Sequence, residues 1–222
     1  MLPQIKILEE EGLIIKEEKR YILTDIGQPV VYHLKPFEDT LAVIDRQKKF
    51  LQEHDLKALP HDFFLRIGEI QNMHIIEAEV EDSFEPHSWS IEMTLKSEEV
   101  AVLSPIVHPK YPQSFLFLAR KGCDVHTILT KNAYSKIKNE YYEMLLEGLR
   151  YDNARLSICE DNIRFANTVT DVYFSLNLFT KNGVFDSIRD VVSYDSSALR
   201  FGKDLFSYYL DKSYPVSKDG SY

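Results

Sequence analysis

Two stretches of the sequence place a lysine two residues after a histidine: His33-Leu34-Lys35 and His108-Pro109-Lys110. With an aspartate after four further residues, such a pair would suit nucleophilic phosphodiester chemistry. The position for that acid holds Thr40 in the first stretch, with Asp39 one residue short, and Phe115 in the second. Both matches are therefore coincidental. The seven histidines are dispersed, and neither an H-x3-H nor a C-x2-C pair exists to start a metal site. A glycine-rich phosphate loop and a G-x-S-x-G elbow are also absent. The sequence predicts no catalytic residues, no metal and no cofactor.

Binding chemistry is better supplied. Ser104, His108 and Tyr111 follow the end of one strand-like run, Thr130 ends another, and Asp171 follows a third. Open α/β sheets bind ligands beyond the C-terminal ends of their strands. A hydroxyl, an imidazole, a phenol and a carboxylate gathered there could fix a small polar effector. Alternatively, His108 and Tyr111 organise the proline-rich loop and Asp171 caps a turn.

Alternating strand and helix patterns position these groups. Strand-like runs at 73–77, 99–104 and 124–130 alternate with helical patterns at 84–96, 112–121 and 132–149. Pro112 at a helix start and Gly122 just past its end mark one helix. Tyr134, Ile137, Tyr141 and Leu145 form the buried face of the third. The alternation predicts βαβ units around a mixed, mostly parallel sheet. Four consecutive strand candidates close it, at 154–159, 163–170, 173–180 and 187–193, before a final helix from Asp195.

The N-terminal part reads helix, hairpin, helix. A first apolar face stops at Gly12, Leu13–Ile15 and Tyr21–Leu23 flank a tight polar turn, and Thr24 or Asp25 caps the next helix. That helix carries Val30, Leu34, Phe37, Leu41 and Ile44 at steps of four, three, four and three, an a/d seam. The seam either joins two chains in a homodimer or lies on its own domain, and Pro36 predicts a kink in it. Lys16, Lys19 and Arg20 sit on the hairpin, where they either meet nucleic-acid phosphates or stay solvated. Gln4 and Lys6, on the first helix, are weaker candidates for base contacts. Residues 1–35 hold five basic and six acidic side chains, a balance of 5 − 6 = −1. That is a weak phosphate-binding footprint.

Leu8-Glu9-Glu10-Glu11-Gly12-Leu13-Ile14-Ile15, Tyr21-Ile22-Leu23-Thr24 and Gly27 resemble the rear of a winged helix-turn-helix: the end of a recognition helix, the wing and the following helix. Further on, Ser104–Pro112, Ala119–Gly122, Ile128–Thr130, Thr170-Asp171, Lys181-Asn182-Gly183 and Leu205–Tyr209 resemble the archaeal regulators of methanogenesis and filamentation. The sensor domain of those regulators is distantly similar to TrmB-type sensors and to the phospholipase-D-like fold. The resemblance implies an α+β/α/β chain in four parts. Residues 1–28 would be a partial winged helix, 29–72 linker and dimerisation helices, 73–213 an α/β effector-sensing domain, and 214–222 a disordered tail. It also implies DNA as a partner. A complete winged helix would need roughly 25–40 residues before Met1, so this stretch alone is expected to bind DNA weakly. On the strand 163–170, where the resemblance would place a phosphodiesterase motif, stand Arg164, Phe165, Ala166 and Asn167.

These readings give a ligand-responsive transcriptional regulator. The alternatives are a dimerisation partner of longer relatives that does not bind DNA itself, and a phosphodiesterase-like enzyme. Of the 222 residues, 44% are hydrophobic, enough for a real core, and the net charge of −9 argues against a surface that coats nucleic acid. No apolar run approaches the roughly 18 residues of a membrane span. Cys123 and Cys159 lie in apolar stretches and read as buried free thiols, which fits a reducing cytoplasm.

Overall fold

The computed structural model describes residues 3–78 and 88–222. Helix α1 (Pro3–Glu10) ends at Gly12, whose φ of +70° gives a left-handed cap natural to glycine. The hairpin β1 (Ile14–Glu17) and β2 (Arg20–Leu23) follows at once. Thr24 fastens the unit: its hydroxyl donates to the Gly12 carbonyl at 2.6 Å and accepts the Gly27 amide at 3.1 Å. A Cβ on Gly27 would lie 2.0 Å from the Leu13 carbonyl oxygen, so glycine lets the next helix start against the hairpin.

Helix α2 (Gly27–Glu53) has two different halves. Its front exposes Val30, Leu34, Phe37, Leu41 and Ile44, from 42% at Ile44 to 59% at Phe37. Its rear buries Val43 and Phe50. The backbone stays helical through Pro36 and breaks instead at Gln47 (φ −122°, ψ 25°). The Gln47 side chain donates there to the Met73 carbonyl at 3.3 Å. Docking of the rear half, not the proline, sets the bend.

The rear of the stretch expected to be linker and dimerisation helices, residues 46–72, belongs to the core. Leu59, Phe63 in α3 (His61–Leu65), Ile67 and Ile70 are all buried with Phe50. Their short helical turns share no single period, which hides this packing from a sequence reading.

The remaining elements are β3 (His74–Glu77), α4 (Ser88–Lys96), β4 (Glu99–Ser104), α5 (Tyr111–Lys121), β5 (Asp124–Thr130), α6 (Lys131–Glu140) and α7 (Tyr142–Leu149). They continue with β6 (Ala154–Cys159), β7 (Phe165–Thr170), β8 (Phe174–Leu178), β9 (Arg189–Ser193), α8 (Ser196–Leu210) and β10 (Ser213–Pro215). The helical pattern at 132–149 is split at Tyr141 (φ −136°).

Among the described residues the large sheet has the order β10-β6-β5-β4-β7-β8-β9-β3. It is mixed, as expected, but parallel pairing is confined to β4–β5 and β5–β6. The other neighbours run antiparallel, which corrects the expectation of a mostly parallel sheet. Parallel strands need a crossover helix between them, here supplied by α5 and by α6–α7. The strands β7, β8 and β9 follow one another without such helices.

One sheet face packs on α8, α3 and the rear of α2 through Leu103, Ile128, Phe165, Phe174, Leu176, Phe201 and Leu205. The other carries α5, α6 and α7 over β4–β6, with Leu118, Tyr134, Leu145 and Leu156 buried between. Both cysteines are buried free thiols. Residues 214–222, expected to be disordered, complete the fold. Strand β10 covers the β6 edge, Val216 donates its amide to Leu156, and the Tyr134 hydroxyl donates to the Gly220 carbonyl at 2.6 Å. No described helix is long and apolar enough to cross a membrane.

Candidate ligand cleft

Strand alternation decides what the second sheet face offers. Leu156, Thr127, Val102, Thr168 and Ser175 are direct cross-strand partners in turn, from β6 through β5, β4 and β7 to β8. All five line a single cleft of about 220 Å³. Under α5 and α7 its floor is apolar, with Val100, Val102, Val125 and Leu129. Towards β7–β9 it turns polar, with Thr168, Ser175, Asn177 and Asp190. Ile91 and Thr94 of α4 and the loop between β4 and α5 form the walls.

Asp190 is the chemical centre of this floor. It is 3% exposed, and the Ser175 hydroxyl donates to its Oδ1 at 2.7 Å. Burial drives its pKa up to about 7, and the bond from Ser175 limits the rise. Tyr111 and Tyr173 flank it. Both phenols are pushed up to about 12, mainly by burial and further by the Asp190 charge. The Tyr173 hydroxyl sits 2.5 Å from that of Thr94 and 3.4 Å from the Ser90 carbonyl. Tyr111 keeps 37% of its surface accessible.

Three of the five expected ligand residues meet here. Ser104, His108 and Tyr111 line the cleft. The Ser104 hydroxyl is engaged in its own turn, donating to the Ile106 carbonyl at 2.9 Å and accepting the Ile106 amide. His108 Nδ1 accepts the Lys110 amide, and its ring stands 5.6 Å from that of Tyr111. The loop is thus organised and cleft-lining at once.

Thr130 and Asp171 are not in the cleft. Thr130 caps α6, its hydroxyl accepting the Ala133 amide. Asp171 Oδ1 accepts the amides of Glu98 and Glu99 at 3.1 and 3.3 Å. Because β7 runs antiparallel to β4, its C-terminal end lies beside the start of β4, at the sheet edge opposite Ser104. Thr168, Ser175, Asn177 and Asp190 were missed because they form no motif. Only β8 carries a signal, with Ser175 and Asn177 alternating between Phe174, Leu176 and Leu178; Thr168 and Asp190 stand in no such pattern.

Gln4, Lys6, Lys16, Lys19 and Arg20 are all exposed on α1 and the hairpin. Lys6 pairs with Glu10 at 3.3 Å. His33 and Lys35 lie on exposed α2, where Lys35 is paired with Asp39 at 2.6 Å. No group of three metal-ligating side chains occurs among the described residues.

One further connection frames the cleft. The segment Phe185–Asp190, which leads into β9, divides its side chains: Phe185, Ser187 and Asp190 line the cleft, while Asp186 and Arg189 hold the end of α2. Arg189 reaches Glu53 at 2.6 Å and Asp186 at 2.8 Å.

Comparison with known proteins agrees with this architecture. A family model described as the methanogenesis regulatory protein FilR1, middle domain, matches residues 83–212. The methanogenesis regulatory protein FilR1 of Methanothrix harundinacea (strain 6Ac) is 21% identical over 217 residues, 96% of this chain and 49% of that protein. The chain thus spans about half the length of that curated relative. Among solved structures, TrmBL2, an archaeal chromatin protein whose structure shows a novel mode of DNA binding, superposes with a TM-score of 0.52 at 12% identity. That match covers 94% of this chain and 79% of TrmBL2 and is a likeness of fold. The phospholipase D family member Nuc from Salmonella typhimurium gives a TM-score of 0.46 at 8% identity, over 66% of this chain and 98% of Nuc.

Proposed function

This chain belongs to the family defined by the middle domain of the methanogenesis regulatory protein FilR1, and from that premise we propose that it is a ligand-responsive transcriptional regulator. The observation that carries the reading is the shared segment Phe185–Asp190. A ligand that repositions Phe185, Ser187 or Asp190 acts on the immediate chain neighbours of Asp186 and Arg189, which clamp His54 and Glu53. Helix α2 runs from that clamp, through its break at Gln47, to the α1–hairpin unit, so one continuous element links the cleft to the proposed DNA-facing end. A ligand shifts such an equilibrium only by binding its two states differently. The clamp supplies a contact that can differ between them.

In this reading the exposed front of α2 pairs with a second copy, which fixes the spacing of two DNA-binding heads. Lys16, Lys19 and Arg20 of the hairpin contact phosphate. The test is chromatin immunoprecipitation of the tagged protein in its host cell. Enrichment at discrete promoters, reduced by Arg20→Ala, is expected; a flat occupancy profile would overturn the proposal.

A further inference from the structure

The cleft is smaller than the roughly 300–1,000 Å³ typical of drug-sized sites, which selects a small molecule. Its two halves then ask for different chemistry. Over β4–β6 the floor is hydrocarbon: Val100, Val102, Val125 and Leu129. Over β7–β9 it ends in a carboxylate. Asp190 has Ser175 as its hydrogen-bond partner, and no cationic side chain pairs with it among the described residues. A carboxylate removed from water without a counter-charge is costly, and the cost is relieved when a cation arrives. The side chain lines the cleft, so an occupant can bring that cation.

We propose that the cleft binds a small amphipathic organic cation, its ammonium group against Asp190 and Asn177 and its apolar body over Val102 and Leu129. This deepens the regulator reading, since it names the effector class of that same cleft. Each candidate class meets the floor differently. An organic anion would face the Asp190 charge directly. A neutral polyol could hydrogen-bond to Thr168, Ser175 and Asn177, yet it would leave the carboxylate without a counter-charge and the apolar half uncovered. A protonated amine with a hydrocarbon tail satisfies both halves.

Calorimetry with the full chain and three probes of equal chain length tests the class: hexylamine, 1-hexanol and hexanoate. Hexylamine is expected to bind at least tenfold more tightly than hexanol, and hexanoate more weakly than either. Asp190→Asn, which preserves shape and an acceptor for Ser175, should remove the preference for hexylamine over hexanol. A pH comparison needs no variant. Ionisation of an acid titrating near 7 should make hexylamine binding about tenfold weaker at pH 6 than at pH 8. The titratable groups facing Asp190 are the phenols of Tyr111 and Tyr173, which stay neutral over that range; in the cleft wall stands the imidazole of His108, so the comparison is repeated in His108→Ala. Equal or tighter binding of hexanol or hexanoate would overturn the cation assignment, as would a hexylamine preference that survives Asp190→Asn. If none of the three binds at 10 mM, the assignment also falls. The promoter-occupancy test of the regulator reading succeeds or fails independently of all these outcomes.

Discussion

The imidazole Nε2 of His54, at the end of α2, donates to the carboxylate of Asp186 at 2.9 Å across 132 residues of sequence. Both side chains are buried, and the other ring nitrogen lies 2.7 Å from the Phe50 carbonyl. Burial pushes the Asp186 pKa up. The bonds from His54, from the amides of Ile188 and Arg189 and from the Arg189 guanidinium outweigh it, and the carboxyl ends below its ordinary range. Such a cluster is favourable when complete and costly when one member is removed.

Asp186→Ala therefore should destabilise the fold by about 3 kcal/mol, since it strands the buried partners of a satisfied pair. Urea denaturation monitored by circular dichroism measures this. A loss under about 1 kcal/mol would show that α2 is held by its apolar contacts alone. Hydrogen exchange gives the second readout: amides in the rear of α2 should lose protection in the variant ahead of those in β4–β6.

The front of α2 predicts self-association. Val30, Leu34, Phe37, Leu41 and Ile44 keep an a/d spacing and remain exposed. Sedimentation at micromolar concentration should give a dimer, and Leu34→Asp should shift it towards monomer by placing an unpaired charge in the seam. A parent protein that sediments as a monomer at 50 μM would end this proposal.

The hairpin predicts a phosphate contact. Arg20 is exposed and stands opposite Glu17 in the strand register of the hairpin. In chromatin immunoprecipitation, Arg20→Ala should lower occupancy at all sites by a similar factor and leave the recognised sequence unchanged. A changed sequence preference would instead make Arg20 a base-reading residue.

Element positions were largely legible because strand and helix periods differ sharply here. The runs at 99–104, 124–130 and 154–159 coincide with β4, β5 and β6. Strand direction was not legible: an isolated alternating run reads the same parallel or antiparallel. Asp171 was misplaced for that reason alone, since reversing β7 sends its end to the opposite sheet edge. Ser104, His108 and Tyr111 line the cleft because they follow β4, which runs parallel to β5 as the alternation suggests. Asp190 was passed over because an acid between the arginine and the valines of Arg189-Asp190-Val191-Val192 carries no mark of burial until β3 and β8 flank it. The tail 214–222 is expected to be disordered, yet the open edge of β6 supplies the partners that order it.

Two buried groups should tilt stability with pH in opposite directions. Asp190 titrates at about 7 in the fold, because of burial, and near 4 when unfolded. Between those values the folded state holds the extra proton, so this group stabilises the fold below pH 4 and loses that contribution as pH rises to 7. His126 does the reverse. Burial first, and Arg155 second, lower it to about 4, against 6.5 unfolded. Its Nε2 lies 2.9 Å from the Ser157 hydroxyl and its ring 5.4 Å from that of Phe206, a setting that favours the neutral form. Here the unfolded state holds the extra proton, so stability rises as pH goes from 4 to 6.5. The two slopes, each at most about 1.4 kcal/mol per pH unit, oppose each other over nearly the same window. Removing either group exposes the other. Unfolding free energies measured from pH 4.5 to 7 should climb more steeply with pH in Asp190→Asn than in the parent, and less steeply in His126→Gln. Identical slopes in parent and Asp190→Asn would mean that Asp190 is ionised in the fold throughout that range, and with it would go the tenfold weakening of hexylamine binding at pH 6.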